Sequence, residues 1–254
     1  MLLALDVGNT QTVVGMYDGE ELREHWRTTT VRTHTGDELA LMLAGLLELR
    51  ELTLGSVDAL VVASSVPQLA VEYAAMSREH LGDEALVVGP GVRTGVALRV
   101  DNPLEVGADR VANCVAAYAL HGGPCIVVDF GTAINFDTVS AGGDFLGGAI
   151  APGLQVALDA LGDRAARLQK VELAAPARAI GTNTDTNVQS GAVFGWAGLV
   201  DGLVRRFRAE LAADATTVAT GGLAALVAPH CETVQHVEPW LTLEGLRMIW
   251  ERNA

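Results

Sequence analysis

Ile126-Val127-Val128-Asp129-Phe130-Gly131-Thr132-Ala133 is an apolar run that ends in an acid, a glycine and a hydroxyl. Leu2-Leu3-Ala4-Leu5-Asp6-Val7-Gly8-Asn9-Thr10 repeats the order near the N-terminus, with acid, glycine and threonine in nearly the same register. In both stretches the apolar residues read as a buried strand, and the glycine after the acid permits a tight turn into a second strand. Such a turn suits phosphate: backbone N–H groups and threonine hydroxyls close on its oxygens, while the carboxylate holds a neutralising cation. Two facing copies are expected to clamp a polyphosphate from both sides.

The composition narrows the partners. At 254 residues, half of them apolar, the chain can build two lobes with cores of their own. A formal charge of −14 argues against nucleic acid or an anionic membrane, which need clustered Lys and Arg. Lysine occurs once, at Lys170, and Val171 follows it, so no Gly-x-x-x-x-Gly-Lys-Ser/Thr loop exists. Cys114, Cys125 and Cys231 are too far apart for a C-x-x-C pair and read as small core residues. His25, His34, His80, His121, His230 and His236 show no paired ligand spacing. Met1 leads straight into the first strand with no secretory pattern, and Thr186 to Val200, the longest uncharged helix-like segment, is too short to span a bilayer. A cytoplasmic protein is expected.

Along the chain, strands at Gln11 to Tyr17 and Leu22 to Thr29 follow the first, joined by Asp18-Gly19. Helices are expected from Gly36 to about Leu52, Pro67 to Leu81 and Ala108 to Leu120, with strands at Val57 to Ala63, Ala85 to Val88 and, shorter, Val96 to Val100. The scheme then repeats: strands Cys125 to Asp129, Ile134 to Val139 and Phe145 to Ile150, a helix from Pro152-Gly153, and a helical region from Thr182 to about Ala213. A strand at Thr216 to Thr220 breaks at Gly221-Gly222, and a short helix, a strand near Val234 and a helix from Thr242 complete the chain. The expected lobes are 1–115 and 116–254.

Paired acid-glycine-threonine turns with a late Ala219-Thr220-Gly221-Gly222 resemble the actin, sugar-kinase and heat-shock ATPase superfamily. The fold this implies is α/β: two duplicated ribonuclease-H-like lobes, each a mixed five-stranded sheet flanked by helices. Asn102-Pro103-Leu104-Glu105-Val106-Gly107-Ala108-Asp109-Arg110-Val111-Ala112-Asn113 narrows the resemblance, together with Gly147-Gly148-Ala149-Ile150-Ala151-Pro152-Gly153 and Gly181-Thr182-Asn183-Thr184 before Gln189-Ser190-Gly191. The chain is similar to type III pantothenate kinases, which phosphorylate the primary hydroxyl of pantothenate with ATP at the opening of coenzyme A biosynthesis.

By that resemblance Asp6, Val7, Gly8, Asn9, Thr10, Gln11, Thr12 and Val13 form the first ATP phosphate loop, with Asp6 the partner of Mg2+. Thr132 is the second phosphate contact, and Asp129 holds a monovalent cation, K+ or NH4+. Gly107, Ala108, Asp109 and Arg110 form the substrate loop, Thr184 is a further substrate contact, and Gly221-Gly222 passes close to the adenosine. Asp109 can accept the hydroxyl proton, and Arg110 offers planar donors to a carboxylate such as pantothenate's. Two positions depart from the family pattern: Asn135 replaces a small hydroxyl residue, and the segment between Leu161 and Val171 lacks the usual Thr-Ala-x-Leu-Pro.

A non-catalytic regulatory relative would be expected to lose Asp6, Asp109 or Asp129, and all three are present. Gly107 to Arg110 argues against a superfamily kinase or phosphatase acting on a sugar or polyphosphate. Small residues at Gly191, Gly195 and Gly198 would let a second helix approach, and with the resemblance they point to a homodimer. Phe194 and Trp196 in the same stretch read as packing residues rather than a nucleotide stack.

Overall fold

The computed structural model describes residues 1–164, 171–211 and 213–254. Its strands and helices in order are β1 (Leu2–Val7), β2 (Gln11–Asp18), β3 (Glu21–Thr29), α1 (Gly36–Glu48), β4 (Ala59–Ser64), α2 (Pro67–Met76), β5 (Leu86–Val87), α3 (Ala108–His121), β6 (Cys125–Phe130), β7 (Ala133–Val139), β8 (Phe145–Pro152), α4 (Leu154–Arg164), α5 (Thr184–Leu211), β9 (Thr216–Thr220), α6 (Ala224–Val227), β10 (His236–Val237) and α7 (Leu241–Glu251).

These elements build two five-stranded sheets of one topology. The first runs β3-β2-β1-β4-β5 and the second, from its other end, β8-β7-β6-β9-β10. In each, the first three strands of the lobe pair antiparallel and the last two add parallel to the first. The lobe's first strand is therefore central, flanked on both edges, which is why β1 and β6 read as unbroken apolar runs.

In the first unit, Leu3, Leu5 and Val7 face α1 and α2, joining a core with Leu39, Leu43, Leu47, Leu69, Tyr73 and Met76. A capping box starts α1: Thr35 Oγ1 accepts from the Glu38 N–H, and the Glu38 carboxylate accepts from the Thr35 N–H. The helix stops at Glu48, short of the expected Leu52, because Glu51 takes a left-handed conformation (φ 58°) and the Leu52 N–H closes on the Leu47 carbonyl at 3.1 Å. The opposite face of the sheet packs against α7, which touches β1, β2 and β4 and buries Leu241, Leu243, Leu246 and Ile249.

In the second unit, Ile126, Val128, Phe130, Ile134 and Phe136 share a core with Leu154 of α4, Ala197, Val200 and Val204 of α5, and Val227 of α6. The strand expected over Val96 to Val100 is a single bridge, Leu98 to Phe145, with hydrogen bonds through Ala97 and Arg99.

The contacts divide the chain into 1–96, 101–116 and 241–254 on one side and 97–100 with 117–240 on the other. The chain passes from the first unit to the second between residues 116 and 117. The expected second lobe, 116–254, differs in its last fourteen residues, which pack with the first unit because the apolar stripe of α7 covers that unit's open sheet face. Among the described residues no helix is long and apolar enough to cross a membrane.

Candidate active site

Asp6 and Asp129 occupy the same place in their sheets: the fifth of six residues in the central strand, half-buried, just before the chain turns. Asp6 stands opposite Val13 and Ala63, and Asp129 opposite Asn135 and Thr220. The two turns differ by one residue. Between paired Val7 and Thr12 lie Gly8 to Gln11, closed by the Gly8 N–H on the Gln11 carbonyl (3.0 Å). Between paired Phe130 and Ile134 lie only Gly131 to Ala133, closed by the Gly131 N–H on the Ala133 carbonyl (3.0 Å).

In the first turn Asn9, Thr10 and Gln11 are exposed and Gly8 half-exposed, so their polar groups are reachable by an anion. Thr12 is placed otherwise. Its side chain is 2% exposed, its hydroxyl lies 2.9 Å from that of Thr30, and it also bonds the buried Tyr73. Thr12 thus anchors the turn from behind, and Val13 continues the ladder beside Asp6.

The second turn is braced by two glycines from elsewhere in its unit. A Cβ at Gly153 would strike the carbonyls of Thr132 and Gly131, and the Gly153 N–H donates to the Thr132 carbonyl at 3.1 Å. Gly221 (φ +92°) comes so close to the Asp129 carboxylate and the Phe130 backbone that a side chain there would displace both. Thr132 itself is exposed at the tip.

Gly107 opens α3, its carbonyl accepting from the Val111 N–H at 3.2 Å. Asp109 and Arg110 are half-buried in the first turn, and the Asp109 carboxylate folds back into the space that a Cβ at Gly107 would fill. Asn102 steadies the approach, accepting from the Leu104 N–H (3.3 Å) and donating to Glu105 Oε1 (2.7 Å). The Asp109 carboxylate is thus set at a helix N-terminus on a backbone with no side chain to crowd it.

The family model for type III pantothenate kinase matches residues 2–206. A curated type III pantothenate kinase of Thermobifida fusca (strain YX) is 51% identical over 258 residues, covering all of both chains. The chain belongs to the type III pantothenate kinase family. Among solved structures, (R)-2-hydroxyglutaryl-CoA dehydratase component A of Acidaminococcus fermentans superposes with a TM-score of 0.56 at 16% identity, covering 98% of this chain and 95% of that one. The inorganic polyphosphate/ATP-glucomannokinase of Arthrobacter sp. strain KM gives 0.51 at 14%, covering 99% and 98%. These likenesses show the fold, two duplicated lobes of the actin-like ATPase type.

Within this family member, Thr184 begins α5 behind an Asn183 cap, whose Oδ1 accepts from the Thr186 N–H at 2.9 Å. It lines a cavity of about 380 Å³ with Asn187, Val188 and Trp196 of α5 and Leu158 and Leu161 of α4. Trp196 donates its Nε1–H to the Pro152 carbonyl (3.3 Å), and Phe194 meets His230 edge-on. Of the departures from the family pattern, Asn135 stands directly across the ladder from Asp129. The altered Leu161 to Val171 segment falls for the most part on 165–170, outside the described residues, as does Lys170.

Cys114 and Cys125 are fully buried, and burial pushes the Cys125 thiol up to about 12, far from thiolate chemistry. His80 shares one exposed spot with Asp37 and Glu79, its Nε2 2.9 Å from Asp37 Oδ1. Spacing could not reveal that grouping, since Asp37 lies on another helix. The motif reading also passed over Arg32 and Thr30, which reach the first turn from the end of β3.

Proposed function

We propose that this chain transfers the γ-phosphoryl group of ATP to the primary hydroxyl of pantothenate in the cytoplasm, giving 4′-phosphopantothenate and opening coenzyme A biosynthesis. The observation that carries it is 51% identity over the whole length to a curated type III pantothenate kinase. Phosphoryl transfer to an alcohol asks the protein for positioning and charge neutralisation more than for covalent chemistry. The exposed donors of Gly8 to Gln11 and of Thr132 are suited to phosphate oxygens. Asp109 accepts or aims the attacking hydroxyl, Arg110 binds the pantothenate carboxylate, and Gly107 and Ala108 shape the acceptor loop; Thr184 is a further substrate contact by the family resemblance.

Asp6 and Asp129 suit hard cations: each is a half-buried carboxylate at a strand end, and Asp129 stands across the ladder from Asn135 and Thr220. Mg2+ with ATP at Asp6 and K+ or NH4+ at Asp129 would add to the neutralisation of triphosphate charge in a chain with a single lysine. The expected consequence is activation by K+ or NH4+, and equal turnover in sodium-only and potassium buffers would count against it.

A homodimer completes the proposal. Positions Gly191, Gly195, Gly198 and Gly202 of α5 have open space where a Cβ would stand, which supports a contact with a second copy over packing within the chain. The deciding experiment is a coupled assay of purified protein with ATP, Mg2+, K+ and pantothenate. Formation of 4′-phosphopantothenate is expected; its absence, with turnover of a sugar or none at all, would overturn the reading.

A further inference from the structure

Residues 30–32 hold the first phosphate turn by three bonds. The Thr30 N–H donates to the Thr10 carbonyl at 2.9 Å, extending β3 one residue beyond the last pair of its ladder with β2. The Thr30 and Thr12 hydroxyls meet at 2.9 Å, and Arg32 Nη2 donates to Asn9 Oδ1 at 3.0 Å. Asn9 and Arg32 are both exposed, so this last bond lies on the reachable side of the turn. It also fixes which way the Asn9 carboxamide points. With Oδ1 engaged by a guanidinium donor, Nδ2 presents its N–H groups on the other side, as an anion requires. The guanidinium adds a permanent positive charge beside the turn, in a chain that carries −14 and a single lysine.

We propose that Arg32 is a positioning residue for the nucleoside triphosphate: it holds Asn9 with its Nδ2 donors toward the phosphates and sets its own charge against the same group. The inference rests on the kinase reading above and deepens it at the nucleotide side. Lysine at this position would keep the charge and lose the planar fork that grips the carboxamide.

The test combines direct binding of a non-hydrolysable ATP analogue with Mg2+, without pantothenate, and steady-state kinetics with pantothenate. The proteins are wild type, Arg32→Gln, Arg32→Lys, Asn9→Ala and the Arg32→Gln/Asn9→Ala double variant. Arg32→Gln is expected to weaken analogue binding and raise the KM for ATP by about tenfold or more, as loss of a charge-assisted contact does. The KM for pantothenate and the thermal midpoint should stay near wild type, a split that a merely structural role would not produce. Arg32→Lys should recover part of the affinity, and the double variant should lose less than the product of the single losses, since the two residues act as a unit. Analogue affinity in Arg32→Gln within about twofold of wild type would overturn the proposal, and fully multiplicative losses would overturn the coupling to Asn9. Should the wild type bind the analogue but leave pantothenate unphosphorylated, the kinase reading falls while the binding series still decides the role of Arg32.

Discussion

Asp109 lies in the first turn of α3, its carboxylate folded over a glycine that has no side chain to resist it. Asp109→Asn keeps that shape and removes the proton acceptor, and kcat is expected to fall about 10²- to 10⁴-fold with ATP binding retained. Because the nucleophile keeps its proton until late in a loose phosphoryl-transfer transition state, the same group would also aim the hydroxyl. Asp109→Glu separates the two roles: it retains a base, so near-complete loss there marks positioning as dominant. Gly107→Ala would push the carboxylate aside and should cost at least about tenfold in kcat, the scale of a misplaced reacting group. More than about a tenth of wild-type kcat left in Asp109→Asn would remove Asp109 from this role. At this scale the motifs marked Asp6, Asp129 and Asp109 correctly as strand-end and helix-start acids. They could not show Thr12 turned inward or Arg32 turned toward Asn9, because both depend on the return of β3 past the turn.

Among the elements, α5 carries two features with separate consequences. Its glycine face is open at Gly195, so Gly195→Arg fills a surface that the monomer leaves free. If that face is the subunit contact, light scattering at micromolar concentration should report a dimer for wild type and a monomer for the variant. Wild-type monomer would sink the dimer reading. Away from that face, Asp201 is buried and ties α5 to the segment before β10, with Oδ1 accepting from the Thr233 N–H (2.9 Å) and hydroxyl (2.7 Å) and Oδ2 from the Glu232 N–H (3.0 Å). Burial pushes its carboxyl up, but these bonds and the nearby Arg205 outweigh it and hold it below the ordinary carboxylate range. A lowered folded-state value contributes stability that is complete above the unfolded pKa of about 3.9 and is lost as pH falls through the folded one. Asp201→Ala, which strands buried donors, should cost about 2 kcal/mol at neutral pH, and its gap from wild type in thermal midpoint should narrow in acid below about pH 4.

For the whole molecule, the repeated run of apolar residue, acid, glycine and hydroxyl made the duplication legible, and turn residues placed most strands within a residue or two. That each lobe holds a mixed five-stranded sheet was legible only through the family resemblance, and the strand order was not, since β4 and β9 reach the central strands by crossing helices. The destination of α7 was not legible at all. Its apolar stripe says that it must be covered, and nothing local says by which sheet. Even its charge is buried there: Arg247, 4% exposed, pairs with Glu244 and Glu251 and lies 5.9 Å from the Tyr17 ring centre.

The return of α7 to the first sheet sets an order of events during synthesis. Strands β1 to β4 leave the ribosome well before α7, so one face of their sheet stays bare until the helix that covers it has been made. The second unit, whose residues lie wholly between, is therefore free to finish first, while the first unit waits on residues 241–254 to close its core. A premature stop codon near residue 240 would thus damage the part of the protein translated first.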